Sequence, residues 1–333
     1  MRSISCAVFI FSLLLAPPLL ASPIFYQKVV AAGIPAHLVT IDLSNKNTIV
    51  TPSLTLRGKG SYETLTSIVR RTRPTAAVSG TFFDTKSFLP TGDIVIEGKL
   101  VHSGFIGTAL CIDQDNRIYF IPRKRGLHPD WSGYNTVIAG GITLLREGKD
   151  TINPKSEGFK APALFHPASR VAIGATSRNK LLIVVVTRKI YLRDLARIML
   201  ALGAIDAMAI DGGSSTGLYA SGRMVAKPKR SMTNTLMVFA NEEQYSNART
   251  QLAPTHINAE TLTPRQIRLT QQNKTPIERL ALTPLNSSYT ESASMAFPIS
   301  LRTSNSLSSD PSATIYPRSI SLSSISSTSD AER

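Results

Sequence analysis

From His37 to Phe239 the chain alternates short apolar runs with tight polar turns, and this rhythm restricts its fold more than any other feature. Residues 170–175 and 181–187 flank Arg178-Asn179-Lys180. Residues 108–113 and 117–121 flank Gln114-Asp115-Asn116. Residues 93–102 turn at Glu97-Gly98-Lys99, and residues 217–225 turn at Ser221-Gly222. Runs of this kind bounded by Gly, Asn or Asp read as strands joined in hairpins. Residues 37–43 and 48–54, around Ser44-Asn45-Lys46-Asn47, read as a further strand pair. Clear helical periodicity is confined to two stretches. Residues 62–71 place Leu65, Ile68 and Val69 on one face. Residues 192–202 place Leu192, Leu195, Ile198, Met199 and Leu202 together before the Gly203 stop. The pattern predicts an α+β domain, a mixed, largely antiparallel sheet built of hairpins with few packed helices.

The rhythm stops at both ends. Residues 1–22 open with a positive Met1-Arg2, continue through an apolar run and close on small, Pro-rich sequence. That is the layout of a secretory signal peptide cut near Ala21 or Ser22, and the run is short for a membrane span. A Leu three residues before the cut leaves an uncleaved N-terminal anchor as the alternative. The expected location is secreted or periplasmic. Residues 23–241 then form one domain. Residues 242–333, rich in Ser, Thr, Pro, Asn and Gln without a period, read as a low-complexity, disordered tail. Of the two cysteines, Cys6 leaves with the signal peptide. Cys111 is left alone in an apolar run, as a small buried hydrophobe.

The net charge is +15, and residues 242–333 hold eight groups of each sign, so the whole excess lies in residues 1–241. Arg70, Arg71 and Arg73, then Arg123, Lys124 and Arg125, then Lys227, Lys229 and Arg230 each read as solvated surface. Their sum favours an anionic partner through long-range steering. For an exported protein that means a phosphate-linked glycan or wall polymer. Nucleic acid is excluded, because no helix carries a basic groove with interleaved aromatics. No transmembrane segment remains after signal removal.

Four segments carry candidate chemistry: Ser79-Gly80-Thr81-Phe82-Phe83-Asp84, Gly140-Gly141-Ile142-Thr143, Ser169-Arg170-Val171-Ala172-Ile173-Gly174, and Asp211-Gly212-Gly213-Ser214-Ser215-Thr216 after a short buried strand. Glycines there permit close backbone approach or positive φ. Hydroxyls and freed N–H groups can hold anionic or sugar oxygens. Gly213 to Gly217 has G-x-S-x-G spacing but precedes a hairpin, and a nucleophile elbow needs a helix.

Taken in order, and with Thr91-Gly92-Asp93 and its hairpin between the first two, these segments resemble the phosphodiester glycosidase family over roughly residues 75–240. Residues 78–84 are similar to its NGGFFD turn, 140–148 to GGPxLLxxG, 169–174 to PRTAIG and 211–216 to LDGGGSST. Ser79 stands where the family has Asn, and Thr81 where it has Gly. The short segment 187–190 lacks the usual Asp-Gly-Arg. The resemblance implies an exported hydrolase that cleaves the glycosidic bond of a sugar-1-phosphodiester and releases sugar and phosphomonoester.

For that chemistry Asp211 is the first candidate for general base, or for the carboxylate facing positive charge at the anomeric carbon. Asp84 is the second carboxylate, and Arg170 is the phosphate clamp. Ser79, Gly80, Gly140, Gly141, Gly212, Gly213, Ser214 and Ser215 line the substrate. Plainer roles stand beside these. Asp211 or Asp84 can cap its own turn, Arg170 can hold structure, and Gly140-Gly141 can be a bulge. His102 and His166 read as structural, and Trp131 as a sugar platform or a loop anchor. No cofactor is required and no metal-ligand spacing is present, which leaves open only a divalent cation held loosely by Asp211. The rival function is a non-catalytic envelope glycan-binding protein on the same fold.

Overall fold

The computed structural model of the protein describes residues 22–122 and 129–253. The body of the signal segment, the cluster Arg123, Lys124 and Arg125, and tail residues 254–333 lie outside the described residues. In chain order the elements are β1 (Ile24–Ala31), β2 (Ile34–Asp42), β3 (Ile49–Leu54), α1 (Leu65–Thr72), β4 (Ala76–Ser79), β5 (Ile94–Ile96), β6 (Lys99–His102), β7 (Thr108–Asp113) and β8 (Ile118–Pro122). They continue with β9 (Tyr134–Arg146), β10 (Lys149–Asp150), β11 (Ala168–Ala175), β12 (Lys180–Ile190), α2 (Leu192–Ala201), β13 (Asp206–Ile210), β14 (Leu218–Ala220), β15 (Arg223–Ala226), β16 (Asn234–Phe239) and α3 (Glu242–Ala248).

The strands form two sheets. The larger runs β1-β2-β12-β11-β13-β9-β5-β6, with β7 and β10 also paired to β9 and β8 to β7. The smaller runs β15-β14-β4-β16-β3. All pairings among the described strands are antiparallel. Period-two alternation assigns each strand's residues to two faces. Val171, Ile173, Met208 and Ile210 of the larger sheet meet Val78, Leu218, Leu236 and Val238 of the smaller in one buried core. On the opposite face Ala172, Ala207 and Ala209 lie under Leu195, Ile198 and Met199 of α2. These small residues and Gly174, where a Cβ would meet Met199, let the helix sit close to the sheet. Beyond the smaller sheet, Met237 and Phe239 pack against Leu65 and Ile68 of α1 and Tyr245 of α3. The result is four layers, helix, sheet, sheet and helices.

Helix starts follow local chemistry. Thr64 caps α1 by accepting the Ser67 N–H, and Asp194 accepts the Tyr191 N–H at 3.0 Å, so the reaching-back half of a capping box forms at α2. The hairpins at Glu97-Gly98 and Ser221-Gly222 turn through two positive-φ residues each, as tight antiparallel turns require.

One hairpin expectation is corrected. β2 and β3 do not pair. β2 lies between β1 and β12, whereas β3 pairs with β16 in the other sheet. Residues 43–48 therefore carry the chain from one layer to the next, and Asn116 Nδ2 donates to the Thr48 carbonyl on the way. Folded structure also runs past residue 241. Asn241 caps α3, and Tyr245, Ala248 and Leu252 are buried on the smaller sheet. The segment expected to open the tail thus begins as part of the domain, because it brings an apolar face of its own.

Candidate functional site

The ends of β4 and β13 meet where the two sheets come together. The Asp211 N–H donates to the Gly80 carbonyl at 3.0 Å, and Ser79 Oγ donates to the Asp211 carbonyl at 2.8 Å. Ser79 is fully buried. Its hydroxyl thus fixes the backbone of the acid. Gly80 lies against Asn234, where a Cβ would overlap the side-chain amide. Asn234 Oδ1 accepts the Thr81 N–H at 2.8 Å. Gly212 lies similarly against the Ser169 carbonyl, and Ser169 Oγ donates to the Gly213 carbonyl. These close approaches are why the loop needs glycine at both positions.

Residues 213–215 form a 3₁₀ turn, not the start of a helix. Gly213 has φ of 58° with open space around it, and Ser214 is exposed. Asp211 is buried, its side chain 7% exposed, and its Oδ2 lies 3.2 Å from Arg230 Nη2. Arg230 Nε donates to Ser215 Oγ at 2.6 Å, and its guanidinium lies 4.3 Å from the centroid of the Phe83 ring. The Arg230 side chain is one-third exposed, so this cation opens to solvent while the carboxylate behind it does not. Burial pushes the Asp211 pKa up to about 6, against the opposing pull of Ser215 and Arg230.

Arg230 is the residue that sequence reading left as one more surface charge. It comes to Asp211 because the β14–β15 hairpin leaves the site loop and returns to it, where the Lys229 N–H donates to the Ser214 carbonyl. A basic residue closing an excursion that begins at the acid was the available signal. Asn234, at the start of β16, was also missed.

Arg170, expected as the phosphate clamp, turns its guanidinium onto backbone carbonyls. It is buried, with Nε donating to the Ile190 carbonyl and Nη2 to those of Leu164 and His166. Those donors hold the 162–166 turn to the end of β12, and burial draws the guanidinium's pKa down. Arg170→Ala would leave three carbonyls unpaired. It is expected to lower stability by about 3 kcal/mol, a fall of roughly 6–12 °C in Tm by thermal melt, with Asp211 and Arg230 undisturbed.

Asp84, expected as the second carboxylate, bonds within its own turn. Its Oδ1 accepts from the Lys86 N–H, the Ser87 N–H and Ser87 Oγ, and these bonds hold its pKa below the ordinary range. It stands exposed, capping its own turn.

Gly140 and Gly141 form a bulge in β9. Gly140 has φ of 89°, and the register against β7 shifts between Thr108↔Gly141 and Leu110↔Ile138. A Cβ on Gly140 would overlap Thr81 Oγ1, a buried hydroxyl with no hydrogen-bond partner. Thr81 thus joins the Asp211 wall to the bulge. Glu157 pins the neighbouring loop by accepting from the Thr143 N–H, Thr143 Oγ1 and Thr108 Oγ1. Trp131 is a buried loop anchor whose Nε1 donates to Asp93 Oδ2 at 2.9 Å. His102 is buried against the Pro90 carbonyl. Among the described residues no three His, Cys, Asp or Glu side chains converge on a common metal position, and no helix is long and apolar enough to cross a membrane.

The Asp211 shift sets a pH dependence of folding. A carboxyl whose pKa rises from 3.8 to about 6 on folding favours the folded state most below 3.8, and this advantage is lost as pH climbs through 6. The loss is at most roughly 3 kcal/mol. Denaturant titrations between pH 4 and 7 are expected to show this decline in wild type and a flatter profile in Asp211→Asn.

The profile of the phosphodiester glycosidase family matches residues 72–239, just over half of the chain. A search of curated proteins found no match. Among solved structures, the zebrafish N-acetylglucosamine-1-phosphodiester alpha-N-acetylglucosaminidase catalytic domain, auto-inhibited by its pro-peptide, is similar with TM-score 0.53 at 19% identity, over 65% of this chain and 82% of that one. A hypothetical protein from Synechocystis is similar with TM-score 0.51 at 16% identity. There the match covers 65% of this chain and 62% of that chain's length. At these identities the structural likeness is one of fold, while the profile match spans the bulge, the Ser169 strand, the acid loop and Arg230. On that match, the chain belongs to the phosphodiester glycosidase family.

Proposed function

We propose that this protein is an exported hydrolase that cleaves the glycosidic bond of a sugar-1-phosphodiester in a glycan or envelope polymer. The observation that carries the reading is the buried Asp211 carboxylate, bonded to a half-open Arg230 on a glycine-built loop. Departure of a sugar from phosphate passes through an oxocarbenium-like state. The leaving phosphomonoester has a second pKa of roughly 6, so the site needs little acid assistance. It needs a cation for the phosphate and a base for water. Arg230 supplies the cation, with its outer edge free of protein partners and Phe83 behind it. Asp211, ionised above about pH 6, takes the proton of the attacking water. As the water oxygen bonds to the anomeric carbon, the bond from that carbon to the phosphate oxygen breaks and the phosphomonoester leaves with that oxygen.

Export rests on the signal-like residues 1–22. The net charge of +15 draws an anionic polymer toward the site. The test is to incubate the purified protein with a synthetic sugar-1-phosphodiester and follow free sugar and phosphomonoester. Both products are expected in equal amounts. Binding without turnover by folded protein would replace the enzyme with the glycan-binding alternative.

A further inference from the structure

A concavity lies at the start of α2. It holds about 510 Å³ and is lined by Ile152, Lys155, Phe165, Tyr191, Arg193 and Arg197, among others. That volume accommodates a sugar unit with its substituents. Two of its aromatic rings are unusually open, Phe165 at 38% and Tyr191 at 53% exposure. Lys155 Nζ lies 5.8 Å from the centroid of the Phe165 ring. Three cations face one acid, Asp194. That acid is occupied by the Tyr191 N–H and lies 3.6 Å from Arg197 Nη1, while among the described residues no carboxylate pairs with Arg193 or Lys155. A pocket of flat apolar rings rimmed by three cations and a single acid matches a sugar ring carrying an anionic group. The rings stack on the sugar face, and guanidinium and ammonium groups take phosphate oxygens.

Its position connects it to the site. β13, β11 and β12 are adjacent strands, with Ile210 opposite Val171 and Ala168 opposite Ile190. Asp211 follows Ile210, and Tyr191 follows Ile190. The pocket therefore stands toward the same end of the sheet, two inter-strand spacings across and three residues along, roughly 14 Å away. Arg170 joins the two regions, since its guanidinium binds the carbonyls of Leu164 and Ile190 on the pocket side.

We infer that this pocket is a subsite for the aglycone side of the substrate, binding the next phosphorylated sugar of a phosphate-linked polymer. The inference rests on the phosphodiester glycosidase reading. It narrows the substrate to one that repeats sugar and phosphate, because a lone phosphodiester held at Arg230 would leave Lys155, Arg193 and two rings unused.

The test is direct binding, independent of turnover. Glucose 6-phosphate, glycerol 3-phosphate and glucose are titrated into the full chain by isothermal calorimetry or ligand-observed NMR. Glucose 6-phosphate is expected to bind saturably and the other two at least about tenfold more weakly, since each lacks the ring or the charge. Tyr191→Ala and Arg193→Ser, both exposed positions, are expected to weaken glucose 6-phosphate about tenfold with an unchanged melt, and saturable binding is expected to persist in Arg230→Ala. Absence of saturable binding, or loss only in Arg230→Ala, would overturn the subsite. So would binding to phosphatidylglycerol vesicles that the Arg193→Ser variant loses while glucose 6-phosphate does not bind, which would make the patch a membrane contact. If the pocket binds as expected but no phosphodiester is hydrolysed, the catalytic reading fails and the pocket stands as a sugar-phosphate site.

Discussion

Asp211→Asn is expected to reduce kcat/KM on a sugar-1-phosphodiester by about 10³-fold, within the range for loss of a general base. Asn preserves the shape of the side chain. The backbone anchors of the loop, from Ser79 Oγ and to the Gly80 carbonyl, do not involve the carboxylate, so the fold is expected to survive. Wild-type kcat/KM should rise with pH through about 6 as the buried carboxyl ionises and then level off. The variant should lack that acid limb. Residual activity within tenfold of wild type, with the limb intact, would assign the base elsewhere.

Arg230→Ala is expected to lower kcat/KM by about 10²-fold, as for removal of a charged donor from a transition-state clamp. It carries a second signature that a purely structural residue would lack. Arg230 pulls the Asp211 pKa down against the effect of burial. Its removal should move the acid limb to a pH above 6. Arg230→Lys restores charge without the fork that reaches both Ser215 and Asp211, and should recover only part of the rate. Inhibition by inorganic phosphate should weaken in parallel. An Arg230→Ala enzyme with unchanged phosphate inhibition and an unmoved limb would remove Arg230 from the site. Arg170→Ala serves as the contrast, because its expected loss is in stability.

The hairpins were legible because a tight turn and its flanking strands are specified within about a dozen residues. Glu97-Gly98 and Ser221-Gly222 supply positive φ where a two-residue turn demands it. The α2 stripe was legible for the same reason, at helical period. The residues around the acid could be found by resemblance, but their orientation could not. Ser79 and Arg170 sit in the matching segments, yet one hydroxyl turns to a backbone carbonyl and one guanidinium to three of them.

By itself the sequence determined the antiparallel hairpin character, the two amphipathic helices, the Asp211 loop and its family likeness. Each depends on local dihedrals, period or short motif order. Tertiary structure decided the split of β2 and β3 between two sheets and the packing of α3 onto the domain. It also decided the burial of Asp211, the turn of Arg170 onto backbone carbonyls and the approach of Arg230 to the acid. Those outcomes turn on which surfaces meet across long stretches of chain. A turn such as Ser44-Asn45-Lys46-Asn47 is compatible with either sheet pairing, and the competition is settled by the apolar faces that β2 and β3 present to partners as distant as β12 and β16. Likewise an arginine's role depends on what lies within reach of its long side chain, and for Arg230 that was fixed only when the β14–β15 hairpin folded back on the loop where Asp211 is held.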